Sequence, residues 1–316
     1  MAYKETKVYF DGSHYVAIPH TTKKKSFAKK IPDDQFVVPE KTDDIPVTDT
    51  DLTPQKSRTV TRKDVFEESY KEALNLPKKE RKEYIASKIS DLFQDKEEID
   101  EYVSFNIHRK KNNLSQKRVR MLRKAHLMGF NYFCTFTYDD QLLDEKTFKK
   151  KLSKCLSNLS DRKGWKYIGV WELSPEKQRL HFHGLFNIPE GSMVGILTER
   201  YDYSFSERRR KITTENSFFK ERFGRNDFDP INDLIQIGTS VKYLLKYIEK
   251  TGEKIVYSRG LPQFFISDIM SEDVVCRTGV EDKKLLLFDN FNCWDEGEYI
   301  GEVGPETIQK LRKSSK

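Results

Sequence analysis

Two short strings hold the residues best suited to chemistry. His181-Phe182-His183 sets two imidazoles two positions apart, and Tyr243-Leu244-Leu245-Lys246-Tyr247 sets two phenols four apart with an ammonium between them. Imidazole nitrogens ligate divalent metals, and an activated phenol can attack a phosphate and stay joined to it. These residue types suit an enzyme that cuts a nucleic-acid backbone and holds the broken end.

Spacing decides whether such groups can meet. Side chains alternate along a strand, so His181 and His183 share one face while Leu180 and Phe182 take the other. If Leu173 pairs with Leu180 across the turn at 174–179, Glu172 lies opposite His181, with Cβ atoms about 5 Å apart. A slip of one residue would send Glu172 to the other face. Imidazoles favour zinc and later metals, whereas phosphate chemistry usually runs on Mg²⁺ or Mn²⁺, so the ligand set leaves the metal open. On a helix, Val241, Leu244, Leu245 and Ile248 form one stripe. Tyr243, Lys246, Tyr247 and Lys250 form a second on the opposite side. The aliphatic stripe supplies the packing face, which leaves the tyrosines and lysines for water, a cleft or a ligand. A phenol needs help to ionise at neutral pH, and Lys246, one turn from Tyr243 and beside Tyr247, is placed to give it.

The elements that must position these groups follow from pattern. Residues 130–138 are aromatic and β-branched, as a central strand prefers. Asp144 can cap a helix whose core stripe is Phe148, Leu152, Cys155 and Leu159. Strands are predicted at 166–173 and 180–187, an irregular basic and aromatic insertion at 190–230, and a short strand at 234–237. Ser240 can cap a helix ending at Gly252. The order β–α–β–β–insertion–β–α predicts an α+β architecture, an antiparallel sheet with its helices on one face.

Upstream, residues 8–18 read as a hairpin about an Asp11-Gly12 turn, and 31–61 as a linker. Helices are expected over 62–74 from Thr61, after Pro77, along the stripe Ile99, Tyr102, Val103 and Ile107, and from Ser115 to Met128, closed by Gly129. The organisation expected is an N-terminal hairpin and linker at 1–61 and a basic helical region at 62–128. A catalytic domain at 129–260 and a C-terminal extension at 261–316 follow. From 109 to 124 the chain is basic without one acidic residue. Lys117, Arg118, Arg120 and Arg123 there are candidates for tracking a phosphate backbone, against the plainer reading of a solvated helix face.

Composition bounds the rest. The chain has 316 residues, 57 Lys and Arg against 50 Asp and Glu, and a net charge of +7, compatible with a polyanionic partner. Its mean hydropathy is −0.75, polar for a single globule. Four cysteines without a C-x-x-C pair argue against a zinc ribbon or a disulfide framework and favour a reducing cytoplasm. No apolar run approaches a membrane span, so a soluble cytoplasmic protein is expected, with no membrane partner. There is no G-x-x-x-x-G-K-[S/T] string, hence no P-loop motor is apparent.

Taken together, three strings resemble the HUH (His-hydrophobe-His) endonucleases that initiate rolling-circle replication, above all those of small single-stranded DNA phages and bacterial plasmids. They are Phe133-Cys134-Thr135-Phe136-Thr137-Tyr138, His181-Phe182-His183 and the Y-x-x-K-Y-x-x-K run over 243–250, in that order. Tyr257-Ser258-Arg259-Gly260 looks like a string that follows the tyrosine helix in such proteins, which makes Arg259, with Lys250, a candidate DNA contact. The resemblance covers about residues 129–260. It implies a five-stranded antiparallel RRM-like sheet, with Mg²⁺ or Mn²⁺ held by His181, His183 and, less directly, Glu172. It implies attack by Tyr243 on an origin in single-stranded DNA, leaving a 5′-phosphotyrosine and a 3′-OH primer. Tyr247 would then serve strand transfer, and a host helicase and DNA polymerase in a bacterial cell would be partners. Two rivals stand beside this reading. One is a non-catalytic RRM-like module that binds single strands, and the other is a relaxase or transposase of the same superfamily.

Overall fold

Strand alternation and helix caps lay out the architecture of the computed structural model, which describes residues 2–20, 60–174, 179–204, 209–251, 254–279 and 283–311. In chain order the elements begin with β1 (Ala2–Phe10), β2 (Tyr15–Ile18), α1 (Arg62–Glu72), α2 (Lys78–Ile89) and α3 (Lys96–Met128). Next come β3 (Tyr132–Thr137), α4 (Glu145–Lys163), β4 (Lys166–Leu173), β5 (Leu180–Asn187), β6 (Leu197–Ser204) and β7 (Arg209–Asn216). Then follow α5 (Ser217–Phe223), β8 (Asn226–Pro230), α6 (Leu234–Thr251) and β9 (Val256–Tyr257). The last are β10 (Phe265–Met270), β11 (Val274–Gly279), β12 (Lys284–Leu287), β13 (Asn292–Asp295), β14 (Glu298–Glu302) and α7 (Pro305–Lys310). The chain divides into two compact units, one of residues 24–114 and one of residues 1–23 with 115–316.

The described part of the first unit is helical. Thr61 and Asp64 form a reciprocal capping box that starts α1. The Arg81 guanidinium closes the turn into α2 by donating to the carbonyls of Ala73, Leu74 and Leu76. Phe66, Ala73, Ile85, Ile89 and Val103 form its core. The predicted linker lies outside the described residues except at its last two positions. Where two helices were expected before Gly129, α3 runs unbroken, because residues 108–115 contain neither Gly nor Pro and Ser115 is an interior position. Gly129 ends it in the left-handed region, at φ 67°.

The second unit holds a five-stranded antiparallel sheet in the order β8-β3-β5-β4-β9. One face carries Cys134, Phe136, Tyr167, Trp171, Leu180, Phe182, Phe186 and Phe228. It packs on Phe148, Leu152, Leu156 and Leu159 of α4 and on Phe219 and Phe223 of α5. Asp144 caps α4 as expected, accepting the Thr147 N–H at 2.9 Å. The helices do not keep to one face, however. Tyr243 and Tyr247 of α6 pack on Phe133 and His183, which belong to the opposite face.

Two further expectations are corrected here. Residues 190–230 are regular rather than irregular, holding β6, β7, α5 and β8. Their anchor is Asn216, whose Oδ1 accepts the Phe218 N–H while its Nδ2 donates to the Val194 carbonyl. The strand placed at 234–237 is instead the first turn of α6. Asp233 accepts the Gln236 N–H at 2.7 Å and caps that helix seven residues earlier than Ser240. The edge strand is β8, paired with β3.

A seven-stranded antiparallel sheet in the same unit, β11-β12-β2-β1-β10-β13-β14, joins the N-terminal hairpin to strands after residue 264. Val8, Ala17, Phe265, Ile269, Leu285, Leu287, Phe291 and Cys293 form its core. The Asp11-Gly12 turn is as expected, with Gly12 at φ 100° and Asp11 accepting two backbone N–H groups. No helix among the described residues is long and apolar enough to cross a membrane.

Candidate active site

The β4–β5 register is the one predicted from the turn, with Leu173 opposite Leu180 and Glu172 opposite His181. His181, His183 and Glu172 therefore share a face, and β3 brings Thr135 opposite His183 and Thr137 opposite His181. Each imidazole is bonded through Nδ1 to the threonine facing it, His183 to Thr135 at 3.0 Å and His181 to Thr137 at 2.7 Å. His183 Nε2 lies 2.8 Å from Glu172 Oε2, and both residues are buried. With Nε2–H donating to the carboxylate, a neutral His183 ring accepts the Thr135 hydroxyl at Nδ1.

Helix α6 closes the site from above. The His183 ring lies parallel to Tyr247 and meets the edge of Tyr243, with centroids at 5.8 and 5.4 Å. The two phenol rings are 4.9 Å apart, and Phe133 backs Tyr243. The helix stands on Ile237, Val241, Leu244 and Ile248, all buried. Leu245, expected in that stripe, is half-buried. The phenols are thus turned toward the imidazoles, and Tyr243 stays 39% exposed, open to an incoming strand.

Electrostatics separates the two phenols. Burial raises the pKa of both. A hydrogen bond between them then lowers that of Tyr243 and raises that of Tyr247, and the Glu172 charge raises both. Tyr243 is therefore the easier of the two to ionise. His181 is pushed down to about 4, mainly by burial and then by His183, so its imidazole is neutral at physiological pH.

The remaining predicted residues are dispersed. Lys246 is exposed on the flank of α6 between the phenols, and Lys250 follows on the same helix, its side chain outside the described residues. Lys117 and Arg120 are exposed on α3 and Arg118 is half-buried. Arg123 is half-buried with its guanidinium 4.0 Å over the Tyr9 ring, so it holds β1 against α3. The side chain of Arg259 is exposed and its carbonyl accepts Lys166 Nζ at 2.8 Å. Beside it, Ser258 exchanges two hydrogen bonds with the Tyr167 backbone and fixes the edge strand β9.

Three supports of the site were not predicted. Thr135 and Thr137 orient the imidazoles, and their signal was the alternation Thr-Phe-Thr on a strand beside an H-x-H strand. Gly169 is the third. A Cβ there would come 2.2 Å from Phe182 Cζ and 2.8 Å from the His183 carbonyl, so a side chain would displace the strand carrying both histidines. Glycine inside a strand is the signal for such close approach.

Two imidazoles and a carboxylate are suitable donors for a divalent cation. Glu172 Oε2 and His183 Nε2 stand close to the separation of about 3 Å expected of adjacent octahedral ligands at ~2.1 Å. The Nδ1–threonine bonds are the outer-shell contacts that ligating histidines usually make. His181 lies further off, its ring centroid 6.0 Å from that of His183. Among the described residues no three His, Cys, Asp or Glu side chains are gathered closely enough to enclose a metal ion. The donor chemistry fits, and completing the set requires His181 to turn toward the other two.

Residues 131–252 match the family model of the ORF2 type of replication-associated protein. The matched stretch is less than half of the chain. It runs from the start of β3 to the end of α6 and so contains both histidines, Glu172 and both tyrosines. Over this stretch the chain is similar to replication-associated proteins, consistent with a replication initiator. No curated protein and no solved structure matches the chain.

Proposed function

We propose that this protein is a rolling-circle replication initiator that nicks single-stranded DNA at an origin through Tyr243. The observation that carries the reading is the packing of two phenols, one helical turn apart, directly on a threonine-supported histidine of the five-stranded sheet. Tyr243 Oη attacks the scissile phosphorus as its proton departs. The P–O3′ bond breaks, the 3′ oxygen takes up a proton, and the 5′ end remains as a phosphotyrosine. Mg²⁺ or Mn²⁺ bound by His181, His183 and Glu172 supplies Lewis-acid polarisation of the phosphate. Lys246 offsets charge at the phosphate and Tyr247 holds Tyr243 by its hydrogen bond. Tyr247 then acts on the new strand while the first tyrosine is occupied. The free 3′-OH primes a host polymerase, with a host helicase opening the duplex, because no motor motif is in the sequence.

A non-catalytic single-strand binder of the same fold would have no use for imidazoles fixed by threonines beneath two phenols. Two tyrosines one turn apart favour an initiator over a single-tyrosine transposase or relaxase. The test is incubation with single-stranded DNA carrying the candidate origin, with and without Mn²⁺. A metal-dependent covalent protein–DNA adduct on a denaturing gel is expected. Binding without an adduct under any metal would reject the nuclease.

A further inference from the structure

Strands β6 and β7 form a two-stranded ribbon of their own, paired from Leu197↔Asn216 to Ser204↔Arg209. Register puts Tyr201 opposite Ile212 and Tyr203 opposite Arg210, so alternation places these four on one face. That face is exposed, at 76% for Tyr201, 46% for Tyr203 and 48% for Ile212, with Arg210 exposed beside them. Tyrosines held this open on a strand, next to an arginine, add little to the core of the fold.

The ribbon is rooted beside the candidate site. Thr214 N–H donates to Asp227 Oδ1 at 3.0 Å and Asn216 N–H to Asn226 Oδ1 at 2.7 Å, which ties β7 to β8. Asp227 pairs with Thr135, the residue bonded to His183. The root therefore stands three strands from His183, about 14 Å at the usual inter-strand spacing.

We infer that this face is a stacking platform for unpaired bases of single-stranded DNA flanking the nick. The inference rests on the function proposed above for its substrate. Tyr201 and Tyr203 have Cα atoms about 7 Å apart along the strand, which leaves room for one base between their rings at the ~3.4 Å stacking repeat. Arg210 adds the positive charge that the adjoining phosphate requires, and base–aromatic stacking is tolerant of sequence. A paired duplex offers no free base faces between the rings, so the arrangement favours a single strand over a groove.

The test uses full-length protein carrying Tyr243→Phe, in EDTA, so that binding is read without cleavage. Its probes are a fluorescent oligothymidylate of about 20 nucleotides and a duplex of equal length. Tyr201→Ala with Tyr203→Ala should weaken the single strand at least about tenfold and leave the duplex unchanged, and Tyr→Phe at both should restore affinity. Arg210→Gln should lower the salt dependence, while the tyrosine changes should not. Unchanged single-strand affinity would overturn the platform, as would equal loss on both probes, which would mark a duplex-groove ribbon. A change in sedimentation mass without a change in DNA affinity would overturn it too, by assigning the face to a second copy of this chain. Metal-dependent adduct formation by the otherwise unaltered protein reports on the nuclease alone, so either idea can fail without the other.

Discussion

The two larger sheets treat their buried polar side chains in opposite ways. In the seven-stranded sheet these groups are bonded to backbone. Asp268 accepts the Glu5 and Gly297 N–H groups, Ser267 exchanges bonds with the Trp294 backbone, and Thr6 donates to the Tyr3 carbonyl. In the five-stranded sheet, Glu172 and His183 are bonded to each other and His183 to Thr135, with two phenols packed above. Backbone-bonded polar groups hold a bulge or a bend in place and are then satisfied. Side-chain-bonded groups retain the capacity to exchange a proton, a metal or a phosphate, and they mark where the chemistry lies.

Substitution on each side sharpens the contrast, and the largest effect is expected at the histidines. Changing His181 and His183 together to Ala should reduce nicking by about a thousandfold or more while single-strand affinity stays close to wild type, since phosphate contacts dominate that affinity. EDTA should do the same to the unaltered protein. Asp268→Ala in the other sheet should cost about 1–3 kcal/mol in denaturant unfolding and leave nicking per folded molecule intact. If the histidine pair and Asp268 gave the same profile, the distinction between the sheets would collapse.

Next in size are the supports. Thr135→Val and Thr137→Val keep shape and remove the hydroxyl, and each should lower nicking about 10- to 100-fold with a raised metal requirement. A uniform loss of stability with unchanged metal dependence would make the threonines packing residues only.

Much of this contrast was legible in the sequence, and the reason is separation along the chain. The strands β3, β4 and β5, their register, and the two stripes of α6 lie close together, and alternation or helical period reveals them. Pairing of β1 with β10 joins residues about 260 apart, for which no local pattern speaks. The β6–β7 ribbon was obscured because its polar and aromatic residues mimic a loop composition. Placing α6 on the second sheet face required knowing that the tyrosine stripe is the one that meets the sheet.

Smaller effects come from α3, where exposed and packed cations part company. Lys117→Gln with Arg120→Gln should lower the log–log salt slope of single-strand binding by about 0.7 for each phosphate no longer neutralised. Arg123→Gln should instead lower stability by about 0.5–1 kcal/mol, because the Tyr9 ring is left without its guanidinium, and the salt slope should not change. An unaltered slope in the first variant would make the run a solvated face.

The smallest effect is a pH dependence in the region of β1. Burial lowers the His126 pKa below its ordinary 6.5, and its ring stands edge-on to Phe10. The unfolded chain then takes up the proton more readily, so this contribution to stability is complete above pH 6.5 and fades as pH falls through and below that value. Chemical denaturation from pH 7.5 to 5 should show the loss, and His126→Phe should flatten it. A slope of the opposite sign would contradict a buried neutral imidazole.

The central claim is that Tyr243 makes the initiating cut and Tyr247 the closing one. Peptide mapping of the covalent DNA adduct, in unaltered protein and in the Tyr243→Phe and Tyr247→Phe variants, tests it most directly. The adduct should map to Tyr243, vanish or fall by more than about a hundredfold in Tyr243→Phe, and persist in Tyr247→Phe without circular product. An adduct outside residues 243–247, or normal circularisation by Tyr247→Phe, would contradict it.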